Sequence, residues 1–289
     1  MNKIVILTDL HILSESHERI IGLDPSQRLN QAVAHIRRYQ ADCDLVICTG
    51  DLTHRGEVAA YQRLREILQT LPCPYRLLPG NHDLRENLLQ VFPEQARDEQ
   101  GFMLSHIDTP HHRLLLLDTL RPTPGTFGHA HDGHLCRHRL DWLEDRITSS
   151  ELPVLIFMHH PPHPTGFAAM DAIALANGED FYTCVLRHPD KVRHLVCGHV
   201  HRTISGQHRG LSFSIFKSPC HQMPMEFHDQ DASLSVDEPG AYGILLLTPL
   251  SVLAHTEDFA LAGRNAPVRG YQPEGGQQLP EKTLSKSIT

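Results

Sequence analysis

Five short apolar runs constrain this chain most, because each stops abruptly at a carboxylate, an amide or an imidazole. They are "KIVILTDLH" (3–11), "LVICTGD" (45–51), "RLLPGNHD" (76–83), "VLIFMHH" (154–160) and "HLVCGHVH" (194–201). An unbroken aliphatic run of strand length, with no polar alternation, marks a strand covered on both faces. Between the runs lie stretches with helical spacing. "DPSQRLNQAVAHIRRYQ" (24–40) opens on Asp-Pro and sets Leu29, Val33 and Ile36 on one side. "GEVAAYQRLREILQTL" (56–71) does the same with Val58, Tyr61, Leu64 and Leu68, and "CRHRLDWLEDRIT" (136–148) follows the strand-like "RLLLLDT" (113–119). Two shorter helical stretches fall near 169–177 and 179–187.

Helices alternating with strands imply βαβ crossovers and parallel pairing. After residue 201 the pattern turns to β segments alone, "RTISGQ", "LSFSIFKS", "YGILLLT" and "SVLAHTEDF", which predicts a second, largely antiparallel sheet. The length of 289 residues suits one large domain or two small ones, and no repeat or linker divides it. One α/β domain over 1–262 is the expectation, with 161–190 and 218–240 as cap or oligomerisation elements. Residues 263–289, rich in Gly, Pro, Gln and Lys without a period, read as a loosely attached tail.

Loops at the carboxyl ends of strands line the crevice where ligands bind in α/β sheets. The polar ends of the five runs would therefore meet, although 190 positions separate Asp9 from His199. Taken singly, each reads as an ordinary turn: Asp-x-His, "TGD" and Asn-His-Asp all favour loops. Taken together they offer two carboxylates, four imidazoles and one amide, a donor set suited to transition metals. These donors suffice for two ions only if one carboxylate bridges them, as in two-metal hydrolases. Glycine stands before three of the five polar blocks, where backbone packed against a metal centre leaves no room for a Cβ.

Composition narrows the setting. The 23 histidines raise the expectation of ligands or proton carriers. A formal charge of −8 argues against a stable nucleic-acid or anionic-membrane partner. The seven cysteines include no C-x-x-C pair, which predicts reduced thiols rather than a disulfide framework. The opening "MNKIVILTDLH" holds too short an apolar run for a signal-peptide core, so the expected location is cytoplasmic.

The ordered series "DLH", "GD", "GNHD", "HH" and "GHVH" resembles the five-motif signature of the calcineurin-like metallophosphoesterases. The segments "MHHPPHPTG", "MDAIALANGEDF", "CGHVHRT" and "SPCHQMP" look closest to class III cyclic nucleotide phosphodiesterases and bacterial glycerophosphodiesterases. The resemblance implies a four-layer α/β/β/α sandwich of two mixed sheets flanked by helices. It implies a first metal held by Asp9, His11 and His201, a second by Asn81, His159 and His199, and Asp51 between them. His82 matches the histidine held over the substrate phosphate, and Asp83 is expected to steady the loop. His221 resembles a pocket histidine of the glycerophosphodiesterases, the alternative being a surface loop imidazole.

The implied cofactors are two transition-metal ions drawn from Fe, Mn, Zn or Co. The implied reaction is hydrolysis of small phosphodiesters, with hydroxide attacking phosphorus in line. Relatives form dimers or larger assemblies, so a homo-oligomer is expected as well. The alternatives are a phosphomonoesterase or nuclease on the same scaffold, or a non-catalytic metal- or partner-binding protein.

Overall fold

In the computed structural model, which describes residues 1–121 and 130–259, the first apolar run forms β1 (Asn2–Leu7) at the middle of a five-stranded sheet. On one side β2 (Leu45–Thr49) and β3 (Tyr75–Leu78) continue it in parallel. On the other side β10 (Ala241–Thr248) pairs antiparallel with β1, and β11 (Ser251–Asp258) antiparallel with β10. The second sheet has the order β4 (Ser105–Asp108), β5 (Arg113–Leu116), β6 (Val154–Phe157), β7 (Val192–Cys197), β9 (Leu211–Ile215), β8 (Ile204–His208). Its four inner strands run parallel, and β4 and β8 close the edges antiparallel.

The unbroken apolar runs have a direct explanation in the layering. Along β1, Ile4 and Ile6 join Leu114, Leu116, Leu155 and Phe157 in a core between the two sheets. The alternate residues Val5 and Leu7 pack with Leu29, Val33 and Ile36 of α1 (Pro25–Tyr39) and with Leu64 of α2 (Val58–Leu68). On the far side, Leu115 and Ile156 pack with Leu143 of α4 (Arg137–Thr148) and Phe181 of α6 (Gly178–Val185). A strand apolar on both faces needs cover on both faces, and three cores between four layers supply it.

The sequence pattern predicted a second, largely antiparallel sheet made by the late strands, and they do not form one. Each pair instead extends one of the two sheets, β10–β11 beside β1 and β8–β9 beside β7, covering edges that would otherwise expose unpaired backbone. The sequence reading also passed over α3 (Arg85–Val91), which has no side-chain cap, and the half-exposed edge strand β4. A short helix, α5 (Ala168–Asp171), occupies the segment before α6. The expected tail, 263–289, lies outside the described residues.

One buried ion cluster ties the outer layers to the sheet ends. Asp118, just past β5, accepts a forked pair of bonds from Arg85 of α3, at 2.6 and 2.8 Å. Arg139 of α4 is wholly buried and donates to the carbonyls of Asp118 and Leu120 at 2.9 and 3.0 Å, with its guanidinium stacked 4.3 Å from the Phe102 ring centre. Among the described residues Asp118 is the only carboxylate paired with these two guanidinium groups, so removing it leaves both without that counter-charge. Asp118→Ala is therefore expected to lower stability by about 3–5 kcal/mol in equilibrium urea unfolding. A loss below about 1 kcal/mol would show that the ion cluster does not hold these layers.

Candidate metal centre

Three of the five strands that end in donors, β1, β2 and β7, do so through a backbone turn of unusual hand. Asp9 (φ 55°), His11 (φ 48°), Asp51 (φ 48°), His199 (φ 73°) and His201 (φ 53°) all adopt the left-handed region. They are five of the seven non-glycine residues with positive φ among the described residues. Side chains at i and i+2 stand about 6.6 Å apart in an extended strand. The turns bring the donor atoms of Asp9, His11, Asp51 and His201 to within 4.8 Å of one another, all buried.

Close approach at the turns explains the glycines. A Cβ on Gly80 would lie 2.3 Å from both the backbone nitrogen and Oδ1 of Asp51. On Gly50, whose φ is +103°, a Cβ would meet His159 Nδ1 at 2.3 Å.

The donors fall into two groups that share Asp51. In the first, His11 Nε2 faces His201 Nε2 at 3.0 Å, and Asp9 Oδ1 lies 3.5 Å from His201 Nε2. In the second, His159 Nε2 lies 3.1 Å from Asn81 Oδ1 and 3.2 Å from His199 Nδ1. Asp51 Oδ2 stands between them, 3.7 Å from His11 Nε2 and 3.5 Å from His159 Nε2. Nitrogens at such separations match neighbouring ligands on one ion with bonds of about 2.1 Å.

Hydrogen bonds behind the donors set which atom faces inward. His201 Nδ1–H donates to the His221 carbonyl at 3.0 Å, and His159 Nδ1–H to the Thr49 carbonyl at 2.8 Å. In both rings the Nε2 lone pair is thereby left for the centre. The backbone N–H of His199 and the Thr8 hydroxyl donate to the Asp9 carboxylate, the latter at 2.7 Å. The Asn81 amide nitrogen lies 3.4 Å from His131 Nδ1, which turns the amide oxygen inward. Asp83 is fully buried and accepts from the backbone N–H groups of Leu52, Thr53 and Gly80 and from the Tyr61 hydroxyl. It fastens the Asn81–His82 loop to the loop carrying Asp51, the steadying role expected of it.

The electrostatics suit cation binding. Burial opposes ionisation of Asp51, but the imidazoles of His159, His82 and His11 hold its carboxyl well below the usual carboxylate range. Burial, aided by His82, pushes His11 well below the usual imidazole range, and burial with His159 does the same to His199. His159 goes the other way: burial lowers it, but the Asp51 carboxylate outweighs burial and raises it to about 9. Neutral imidazoles and ionised carboxylates are the forms that bind metals. His159 therefore has to give up a proton.

Two further histidines stand over the centre. His82, half-buried, donates Nδ1–H to the His54 carbonyl at 2.9 Å, with its ring 4.8 Å from that of His11. His221 is no surface imidazole: it is 7% exposed, its ring lies 4.6 Å from that of His201, and its Nδ1 has no partner. Its ring is held neutral, lowered to about 2 by burial and then by His201.

Sequence reasoning missed His54, His131 and His160. His54 stacks on His82 with ring centres 5.2 Å apart, and its place three residues after Asp51 was the available signal. His160 sits beside His159 and His199, but Thr119 and the His131 carbonyl occupy both its nitrogens, which removes it from the donor set.

The comparisons with known proteins agree with this geometry. A probable cyclic nucleotide phosphodiesterase of Rhodopseudomonas palustris is 37% identical over 263 residues, 90% of this chain and 94% of that protein. The glycerophosphodiester phosphodiesterase GpdQ of Enterobacter lignolyticus is 32% identical over 223 residues, 75% of this chain and 77% of that one. The 3',5'-cyclic adenosine monophosphate phosphodiesterase CpdA of Pseudomonas aeruginosa is 33% identical over 221 residues, 76% of each chain. Among solved structures, a dimetal phosphatase from Danio rerio shares the fold with a TM-score of 0.64 at 20% identity, covering 85% of this chain and 92% of that one. The family model for calcineurin-like phosphoesterases matches residues 2–203, every element from β1 through β7, and the chain belongs to that family.

Proposed function

We propose that this chain is a phosphodiesterase for small diesters that works with two transition-metal ions. Asp9, His11 and His201 would hold the first ion, Asn81, His159 and His199 the second, and Asp51 both. The observation that carries this reading is Asp51 Oδ2, at 3.7 and 3.5 Å from one imidazole nitrogen of each group. The donors are oxygen and nitrogen with no thiolate, which favours Mn, Fe, Co or Zn. Such ions, when bound, supply Lewis acidity and water activated near neutral pH. Because Asn81 brings no charge, the second group holds its cation with one carboxylate shared and none of its own.

The chain's own residues supply the rest. The buried donors exclude bulk water from the centre, and the left-handed turns fix their positions before a substrate arrives. His82, held through Nδ1, keeps Nε2 for a non-bridging phosphate oxygen or for the leaving alkoxide. His221, neutral and unpartnered at Nδ1, would contact the diester on the side of the first group. The segments 161–190 and 218–240 would cap the centre, and the N–H groups of Ala168 and Ala169, donating to the carbonyls of Phe227 and Asp229, tie the two segments to each other. Such a cap would suit a small substrate, in keeping with the cyclic nucleotide and glycerophosphodiester activities in the names of the relatives.

The substrate reading is tested with bis(p-nitrophenyl) phosphate and p-nitrophenyl phosphate. The manganese-loaded protein should give the higher kcat/KM with the diester, and chelated protein should lose both activities. His82→Ala should lower the diester rate by about 100-fold while elemental analysis still finds both metals. A monoester preference, or full activity after verified metal removal, would overturn this reading.

Metal loading should depend on pH through His159. In the metal-free protein this group is protonated below about 9, so each ion entering the second group displaces a proton. Affinity there should rise about tenfold per pH unit between about pH 6.5 and 8. Calorimetric Mn²⁺ titrations in buffers of different ionisation enthalpy measure both the affinity and the protons released. An affinity independent of pH would contradict the assignment of His159.

A further inference from the structure

All seven cysteines carry free thiols, and two of them meet. Cys43 Sγ and Cys73 Sγ lie 2.7 Å apart although 30 positions separate them in sequence. Their places in the fold are specific. Cys43 precedes β2 and Cys73 precedes β3, neighbouring parallel strands in which Val46 stands opposite Tyr75. The Val46 N–H also donates to the Pro74 carbonyl at 2.9 Å, so backbone pairing continues up to the cysteines. Adjacent strands run about 4.8 Å apart, within the Cα separation that a disulfide spans.

Access is one-sided. Cys43 is 6% exposed, whereas Cys73 is half-buried and lines a surface hollow of about 430 Å³ with Leu68, Pro74, Tyr75 and Glu94. A small reagent therefore reaches Cys73 first, and Cys43 waits behind it. The S–H shared between the two sulfurs lowers the Cys43 thiol and raises that of Cys73. Cys43 thus loses its proton first, and its thiolate stands ready to accept the Cys73 proton when Cys73 attacks.

We propose that Cys43 and Cys73 are a thiol–disulfide exchange site, converted to a reversible disulfide by low-molecular-weight disulfides such as oxidised glutathione. The Cys73 thiolate attacks one glutathione sulfur; the glutathione S–S bond breaks and the departing thiolate takes up a proton. The Cys43 thiolate then attacks Cys73 Sγ, the protein disulfide forms, and the second glutathione leaves as its thiol. Two protein thiols are oxidised and one glutathione disulfide is reduced to two thiols. The new bond would join the two strands at the end opposite Asp51 and Asn81, away from the metal donors.

The test holds the metal-loaded full chain in mixtures of oxidised and reduced glutathione, quenches with acid, alkylates with iodoacetamide and maps the peptides by mass spectrometry. The expected product is a Cys43–Cys73 linked peptide that dithiothreitol separates. The oxidised protein should also melt higher by roughly 5 °C, because the cross-link closes a loop in the unfolded chain. Cys43→Ser should stop at a glutathione adduct on Cys73, and Cys73→Ser should form neither adduct nor link at Cys43. The proposal is overturned if both wild-type thiols stay alkylated at every glutathione ratio, if the wild type stops at the mixed disulfide, or if either cysteine links elsewhere. Mapping the wild type decides the matter even if a variant fails to fold.

Discussion

Five buried residues at the strand ends adopt left-handed backbone, a conformation that costs a residue with a side chain on the order of 1–3 kcal/mol. Such turns persist only where the surroundings over-determine them. Here the two sheets do so. The N–H groups of Asp9 and His11 donate to the carbonyls of Gly50 and Asp51 at 3.0 and 2.9 Å, locking the end of β1 to that of β2. The Gly198 N–H donates to the His159 carbonyl at 3.0 Å, and the Ser218 hydroxyl to the Asp9 carbonyl at 2.6 Å. The apolar cores align the strands, the aligned strands force the turns, and the turns aim the donors into one small space. Stability of the sandwich is thus the source of preorganisation at its edge.

The arrangement concentrates groups that repel one another. Two carboxylates, neutral imidazoles with inward lone pairs and an amide oxygen face each other where little solvent enters. In the metal-free chain a proton on His159, beside Asp51, eases this crowding. A cation in place of that proton would satisfy the whole set. The net charge of −8 therefore describes the surface and says little about the potential a substrate would meet at a loaded centre.

How legible this was in the sequence depended on how local each signal was. Apolar runs ending in donors announced β1, β2, β3, β6 and β7, because doubly buried strands and their polar ends are written in consecutive residues. Asp9, His11, Asp51, Asn81, His159, His199 and His201 came with them, and the structure brings all seven together. Features that depend on partners distant in sequence were not legible. Which sheet the hairpin β10–β11 joins is decided by the open edge of β1, not by its own residues. The supporting histidines act through contacts that only the folded loops bring near: the His54 carbonyl faces His82 Nδ1, and His131 Nδ1 faces the Asn81 amide nitrogen. The Cys43–Cys73 pair was invisible for the same reason: spacing along the chain suggested unpaired thiols, and strand pairing joins them.

The central claim is that one carboxylate, Asp51, serves two ions held by the ends of two different sheets. The most direct measurement is anomalous diffraction from crystals of the manganese-loaded protein, collected on both sides of the metal absorption edge. The account predicts two anomalous peaks per chain, one against Asp9, His11 and His201, one against Asn81, His159 and His199, with the Asp51 carboxylate in contact with both. A single peak, or two peaks of which only one touches Asp51, would contradict it.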